Sequence, residues 1–183
     1  MKIIGIVGKL ESGKTTTANY IKEFYPNTTV IAFADLLKEM IYNAGLCTKK
    51  ELWGTKTKFS RLMMQKIGTE IIRKQVDDNF WVNEMKTKIE NIKNVSSGKL
   101  IVIHDVRFLN ECDMVRFFDG KIIRIIRPDH KNNFIKKWLK KIRPKKDHLS
   151  ETEQDSIVAD FEIINDGTLE ELKIKVKNTL YPG

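Results

Sequence analysis

Residues 8–15 read GKLESGKT, with two glycines five positions apart and the second followed by lysine and threonine, directly after the apolar run IIGIV. Glycine tolerates backbone conformations that other residues resist, so Gly8 and Gly13 allow a loop that wraps with its N–H groups pointing inward. Such a loop at a helix N-terminus cradles phosphate oxygens, and the helix dipole adds positive potential. The pattern G-x-x-x-x-G-K-[ST] makes Gly8, Glu11, Ser12, Gly13, Lys14 and Thr15 the candidates for holding a nucleoside triphosphate. Lys14 would reach the β- and γ-phosphates, and the Thr15 hydroxyl would bind Mg²⁺.

A second element belongs with the loop. The apolar stretch IVIHDV (101–106) ends at Asp105, whose carboxylate could hold Mg²⁺ through water at the carboxyl edge of a sheet. His104 beside it is expected to face the core or a helix. Phosphoryl transfer needs charge neutralisation and in-line placement more than covalent help. Arg107, just past Asp105, and Arg127, at the end of IIRIIR, are therefore catalytic candidates, with Arg143 and its lysine neighbours in a basic segment further on. Arg124 alternates within its strand and reads as structural.

The elements that must position these groups alternate in type. Short apolar runs predict strands near 2–7, 29–34, 100–106, 121–127 and 161–165. Helical patterns run from Lys14 to Tyr25, and from Asp35 as N-cap to Gly45 at the far end. Two further helical stretches, FSRLMMQKIGTEIIRK and DDNFWVNEMKTKIENIK, are separated by Asp77 and Asp78, and Trp81, Met85, Ile89 and Ile92 recur at helical spacing as a core stripe. FLNECDMVRFF predicts another helix, and Thr168 with Glu171 forms a capping box opening the last one, with Leu172, Val176 and Leu180 inward. Alternating strands and helices predict a three-layer α/β P-loop NTPase fold with a five-stranded parallel sheet. One domain over 1–183 is expected, with two appendages: a helical insertion at 45–95 and a basic segment at 129–155.

The formal charge is +9 but uneven: residues 131–146 hold seven lysines and one arginine without an acid, whereas 147–183 holds nine acids and three lysines. A local cation cluster suits polyphosphate or nucleic acid, or is a solvated helix face. Composition is that of a folded globular chain, and no apolar run approaches the roughly 18 residues a membrane span needs. The N-terminus lacks a cleavage site after an adequate apolar region, so no secretion signal is expected. Cys47 and Cys112 form no CxxC and have no histidine at ligand spacing, which argues against a disulfide framework or zinc site and fits a reducing compartment.

Taken in order, GKLESGKT, FADLLKEM, SRLMMQKIGTEIIR, DDNFWV, IVIHDVRFLNE, IIRIIRP, HLSETE and IINDGTLEEL resemble the deoxynucleoside monophosphate kinase family of phages and large DNA viruses, from residue 1 to about 180. The resemblance implies the nucleoside monophosphate kinase fold and transfer of a phosphoryl group from ATP to a deoxynucleotide with Mg²⁺. It implies that Gly13, Lys14, Thr15 and Thr16 bind ATP phosphates and metal. Arg127 and the basic insertion would be the lid over the donor, and adenine would rest against the backbone near Asn165 and Gly167. Asp35, Lys38, Arg61, Gln65, Thr69, Glu70, Arg73 and Trp81 would lie on the acceptor side. There arginines would hold the monophosphate, Gln or Glu would read base edges, and Trp81 would either stack or pack in the core. Lys38 and Arg73 have exposed helix surface as their alternative. Members of the family often carry aspartate after the loop lysine, where this chain has Thr15, and the lid here is lysine-rich with Arg143 its single arginine.

The expected partners are a nucleoside monophosphate and ATP with Mg²⁺, without a membrane; a homodimer stays open. The expected location is the cytoplasm, that of the host if the chain is viral. Two rivals remain: a phosphomevalonate kinase-like or other small-acceptor P-loop kinase, and a nucleic-acid-binding protein using 131–146. The second is weakened because Phe134 and Trp138, four apart, suit one packed helix face better than base stacking.

Overall fold

The computed structural model describes residues 2–95, 99–128 and 149–181. It divides into two compact units, residues 1–30 with 99–183, and residues 31–98.

The first unit is built on a sheet of five strands in the order β2-β3-β1-β4-β5: β1 Lys2–Val7, β2 Thr28–Ile31, β3 Leu100–Val106, β4 Lys121–Ile126 and β5 Phe161–Ile164. β1 pairs in parallel with β3 and β4, and β4 in parallel with β5. A central parallel strand is covered on both faces, which is why IIGIV is continuously apolar and buried from Ile3 to Val7. Helix α1 (Lys14–Phe24) lays Ala18 and Ile21 against Ile4, Ile6, Val102, Ile123 and Ile125, and Leu172 and Val176 of α8 (Leu169–Leu180) complete that core. Thr168 and Glu171 form the expected capping box on α8, with the Thr168 amide donating to Glu171 Oε2 at 2.6 Å. The unit also holds α6 (Leu109–Phe117) and α7 (Leu149–Ser156).

The β1–β3 register slips near its carboxyl end. Gly5 lies opposite Ile103, yet Val7 lies opposite Val106, so β3 carries one extra residue across His104 and Asp105. A bulge of this kind re-aims side chains locally. Asp105 ends up buried, at 7% exposure, and His104 half-buried.

The second unit is helical: α2 (Phe33–Asn43), α3 (Lys49–Trp53), α4 (Lys58–Gln65), a π-helix over Lys66–Val76 and α5 (Phe80–Val95). The expected strand at 29–34 is shorter, because the chain turns helical at Phe33. FADLLKEM is rich in helix formers, and Asp35 sits in the first turn, where a carboxylate favours the N-terminal dipole, so Ala32 and not Asp35 is the cap. At the other end Gly45, at φ 70°, donates to Tyr42 O and Leu46 donates to Ile41 O, closing α2 in the Schellman pattern. In the π-helix Gly68, Thr69 and Arg73 are buried together, a five-residue recurrence that suits its wider turn. A Cβ on Gly68 would meet the tip of the Leu37 side chain at 2.6 Å, so a larger residue there would push Leu37 of α2 aside. Along α5, Trp81, Met85 and Ile89 are buried as the stripe predicts, while Ile92 is half-buried. The two cysteines are buried and free, and among the described residues no helix is long and apolar enough to cross a membrane.

Candidate active site

The carboxyl ends of β3, β1, β4 and β5 are adjacent in the sheet, and each ends at a candidate residue or loop: Asp105 and Arg107, loop 8–15, Arg127 and Asn165. Ligands of open parallel sheets bind outside this edge.

The loop is held by contacts that require its sequence. A Cβ on Gly8 would lie 2.5 Å from Ile125 O and 2.7 Å from Ser12 Oγ. Gly13 has φ 105°, and a Cβ there would meet Asn165 Nδ2 at 2.7 Å. Both glycines are thus needed for close approach, and Gly13 for its backbone angle as well. Glu11 also adopts a left-handed conformation, φ 61°, a local strain of the kind that clusters at ligand sites. Three ties fix the loop: Asn165 Nδ2 donates to Ser12 O (2.8 Å), Arg127 Nη1 to Glu11 O (3.3 Å), and Lys9 pairs with Asp155 of α7 (3.6 Å). The Asn165 backbone amide is itself pinned to Ile126 O at 2.7 Å.

Lys14 Nζ folds back on its own loop, donating to Gly8 O at 2.5 Å and Lys9 O at 2.6 Å. Burial pulls the Lys14 ammonium down to about 8; the Arg107 guanidinium adds to that fall, and the Asp105 carboxylate opposes it. Lys14, Asp105 and Arg107 are therefore near enough to act on one another. Ser12, only 2% exposed, has a hydroxyl oxygen with no hydrogen-bond partner among the described residues, as does buried Thr17 one turn into α1. An orphaned buried hydroxyl in a glycine loop at a helix N-terminus fits an anion. Thr15 is exposed and Thr16 half-buried on the first turn of α1. Gly167 lies where a Cβ would overlap Glu171 Oε2, so the turn after β5 approaches its helix closely.

Arg124 serves structure, as its alternation suggests: it donates to the carbonyls of Gln154 and Ile157 and pairs with Glu162. Arg143 and the basic segment 131–146, with its nucleic-acid rival, lie outside the described residues.

In the helical unit most of the acceptor candidates are internally engaged. Asp35 and Lys38 pair at 2.9 Å, and Lys38 Nζ stands 5.8 Å from the centre of the Trp53 ring. Glu70 pairs with Lys74 at 2.9 Å. Arg73 is 6% exposed and donates to Asp78 O at 3.0 Å, so its exposed-surface alternative is corrected: a turn-capping bond holds it inside. Lys38 likewise is only partly exposed, drawn down by Asp35. Of the two readings of Trp81 the structure shows packing: the ring is 4% exposed, its Nε1 donates to Gly68 O at 3.0 Å, and Phe80 meets it edge-on. Thr69 is buried, and Arg61 and Gln65 are exposed on α4.

One residue takes a role other than the expected one and one escapes the sequence reading: Asn165 is expected beside the adenine, and Glu111 is not singled out. The Asn165 side chain holds the loop apex, and Glu111, 3% exposed, accepts from the Arg107 amide at 2.7 Å and the Phe108 amide at 3.2 Å. A capping pattern could have flagged Glu111, but phenylalanine at the cap position hides it.

Comparison with known proteins identifies the family. The profile of a family described as deoxynucleotide monophosphate kinase matches residues 44–176. A provisionally named deoxynucleotide monophosphate kinase of Acanthamoeba polyphaga mimivirus is 28% identical, over 93% of this chain and 92% of its own. The deoxynucleotide monophosphate kinase of Enterobacteria phage T4 is 31% identical, over 66% of this chain and 44% of its own. Among solved structures, dephospho-CoA kinase from Campylobacter jejuni superposes with a TM-score of 0.50 at 18% identity, covering 98% of this chain and 96% of that one, which shows the shared fold. None of these matches supports the phosphomevalonate rival, and the profile spans most of the chain: it belongs to the deoxynucleotide monophosphate kinase family.

Proposed function

We propose that this chain transfers the γ-phosphoryl group of ATP to the 5′-phosphate of a deoxynucleoside monophosphate, giving ADP and the deoxynucleoside diphosphate. The observation that carries the reading is Lys14: it sits in a glycine loop with an orphaned Ser12 hydroxyl, within electrostatic reach of Asp105 and Arg107. A triphosphate tail in that loop would draw Lys14 Nζ from the Gly8 and Lys9 carbonyls onto β- and γ-oxygens. Arg107 and Arg127 would offset charge developing on the transferred group, as would Arg143 from the basic segment. Asn165 and Gly167 would border the adenine.

Thr15 and Asp105 would hold Mg²⁺. The donors suit a hard, oxygen-seeking ion, and among the described residues no three His, Cys, Asp or Glu side chains cluster into a metal cage. A cation bound through one or two protein oxygens and substrate phosphates matches Mg²⁺. When bound, it neutralises phosphate charge.

On the acceptor side, exposed Arg61 and Gln65 are the side chains best able to meet a monophosphate and a base edge. Asp35, Lys38, Thr69 and Glu70 would border that site, with Arg73 and Trp81 shaping it from within. The test is ADP release, with ATP and Mg²⁺, over a panel of deoxy- and ribonucleoside monophosphates. Turnover of at least one deoxynucleotide is expected; turnover of none contradicts the proposal.

A further inference from the structure

The turn after β3 is held in a way that its helix does not require. In an ordinary capping box the carboxylate at the third helical position accepts from the cap residue's own amide. Glu111 does this for Phe108 at 3.2 Å, but its shorter bond, 2.7 Å, goes one residue further back, to the amide of Arg107. One buried oxygen, Oε2, thus grips two consecutive peptide groups. Helix α6 is already anchored by Cys112, Met114 and Val115, all buried, and by Phe108 at 7% exposure. What the extra bond secures is the segment between the β3 bulge, which holds Asp105, and the helix, a segment that carries Arg107. A carboxylate held 3% exposed loses solvation that only well-made bonds recover, so the arrangement is costly as a mere cap.

We propose that Glu111 is a positioning residue of phosphoryl transfer, its carboxylate fixing the turn that, just past Asp105, presents Arg107 beside the phosphate loop. The inference rests on the proposed function for the role of Arg107, but the fixing of the turn is independent of it.

Two measurements separate the parts. Amide hydrogen exchange reads the turn without reference to activity. Glu111→Ala is expected to lose protection at the Arg107 and Phe108 amides while residues 112–116 inside α6 keep theirs; uniform loss, or none, overturns the proposal. Steady-state kinetics then read the consequence. Glu111→Ala is expected to lower kcat about 10- to 100-fold, the effect of losing an oriented charge, with the monophosphate KM changed less than about 3-fold. Glu111→Gln, which keeps an acceptor oxygen, is expected to recover most of kcat. In an Arg107→Ala background the Glu111→Ala loss should shrink to under about 3-fold, because coupled residues are non-additive. An undiminished loss there, or failure of the glutamine to rescue, makes Glu111 structural only and overturns the proposal. Should Glu111→Ala not fold, Glu111→Asp, one methylene too short to reach Arg107, takes its place in both measurements. Absence of turnover in the unmodified protein contradicts the proposed function alone, and exchange still decides the positioning.

Discussion

The two units solve their tasks with different parts of the chain. The sheet unit builds its site from backbone: a glycine loop, two ties to loop carbonyls and a carboxylate gripping consecutive amides. The helical unit offers side chains, most of them already paired with one another, as in Asp35 with Lys38, Glu70 with Lys74 and Arg73 with Asp78. Backbone geometry is pre-organised before any ligand arrives, whereas paired side chains must exchange partners to bind one. On this account substitutions in the first unit strike the chemical step, and those in the second divide into acceptor affinity and stability.

The largest effect is expected at Lys14. Lys14→Ala should lower kcat by about 100-fold or more, since removing one preorganised charge from a transition state costs about that much. Near-normal kcat in stopped assays would mean that Lys14 takes no part in the chemical step.

Arg73→Ala should act on folding. Losing the buried bond to Asp78 O and the volume of the side chain should cost about 2 kcal/mol in chemical denaturation. Arg61→Ala, on an exposed position, should leave that denaturation curve in place and raise the monophosphate KM about 10-fold, as loss of one charged phosphate contact would. Interchanged outcomes would mean that the buried arginine, not the exposed one, meets the acceptor.

Acidity sharpens the contrast. With its folded value drawn from 10.5 to about 8, Lys14 is a cation below that pH and neutral above it. The kcat/KM for ATP, which reports the free enzyme, should therefore fall about tenfold per unit above that point. The fall in kcat should come at higher pH, because bound phosphate favours the charged lysine. A flat profile would detach Lys14 from binding.

The smallest effect concerns Asp160, which joins β5 to β4. Burial pushes its carboxyl up, but the Ile122 amide at 2.8 Å and Lys121 outweigh that and hold it below 3.8. A carboxyl depressed in the folded state stabilises above its unfolded value, and that contribution is lost as pH falls through the folded one. Asp160→Asn should therefore narrow the gap in Tm between neutral pH and acid below 3.8; an unchanged gap would place acid sensitivity elsewhere.

What was legible in the sequence follows the same division. Inner strands buried on both faces leave continuous apolar runs, as β1 and β3 do, and the phosphate loop can be read because its glycine spacing serves one purpose. The start of α2 is misplaced because Phe33 and Ala34 suit a strand end and a helix start equally. The π-helix, the burial of Arg73 and the interior place of Trp81 depend on packing with α2 and α5, which no local pattern encodes. The bulge at Asp105 and the reach of Glu111 to Arg107 are likewise matters of register and turn geometry. Backbone devices with a required residue type announce themselves; side chains that can either pack or bind do not.

The central claim is that one phosphoryl group passes from a triphosphate held by the glycine loop to an acceptor monophosphate. Phosphorus NMR of the protein mixed with ATP, Mg²⁺ and a deoxynucleoside monophosphate follows that group directly. ADP and a deoxynucleoside diphosphate should rise in equal amounts, with no free phosphate. Release of inorganic phosphate without the diphosphate would contradict it.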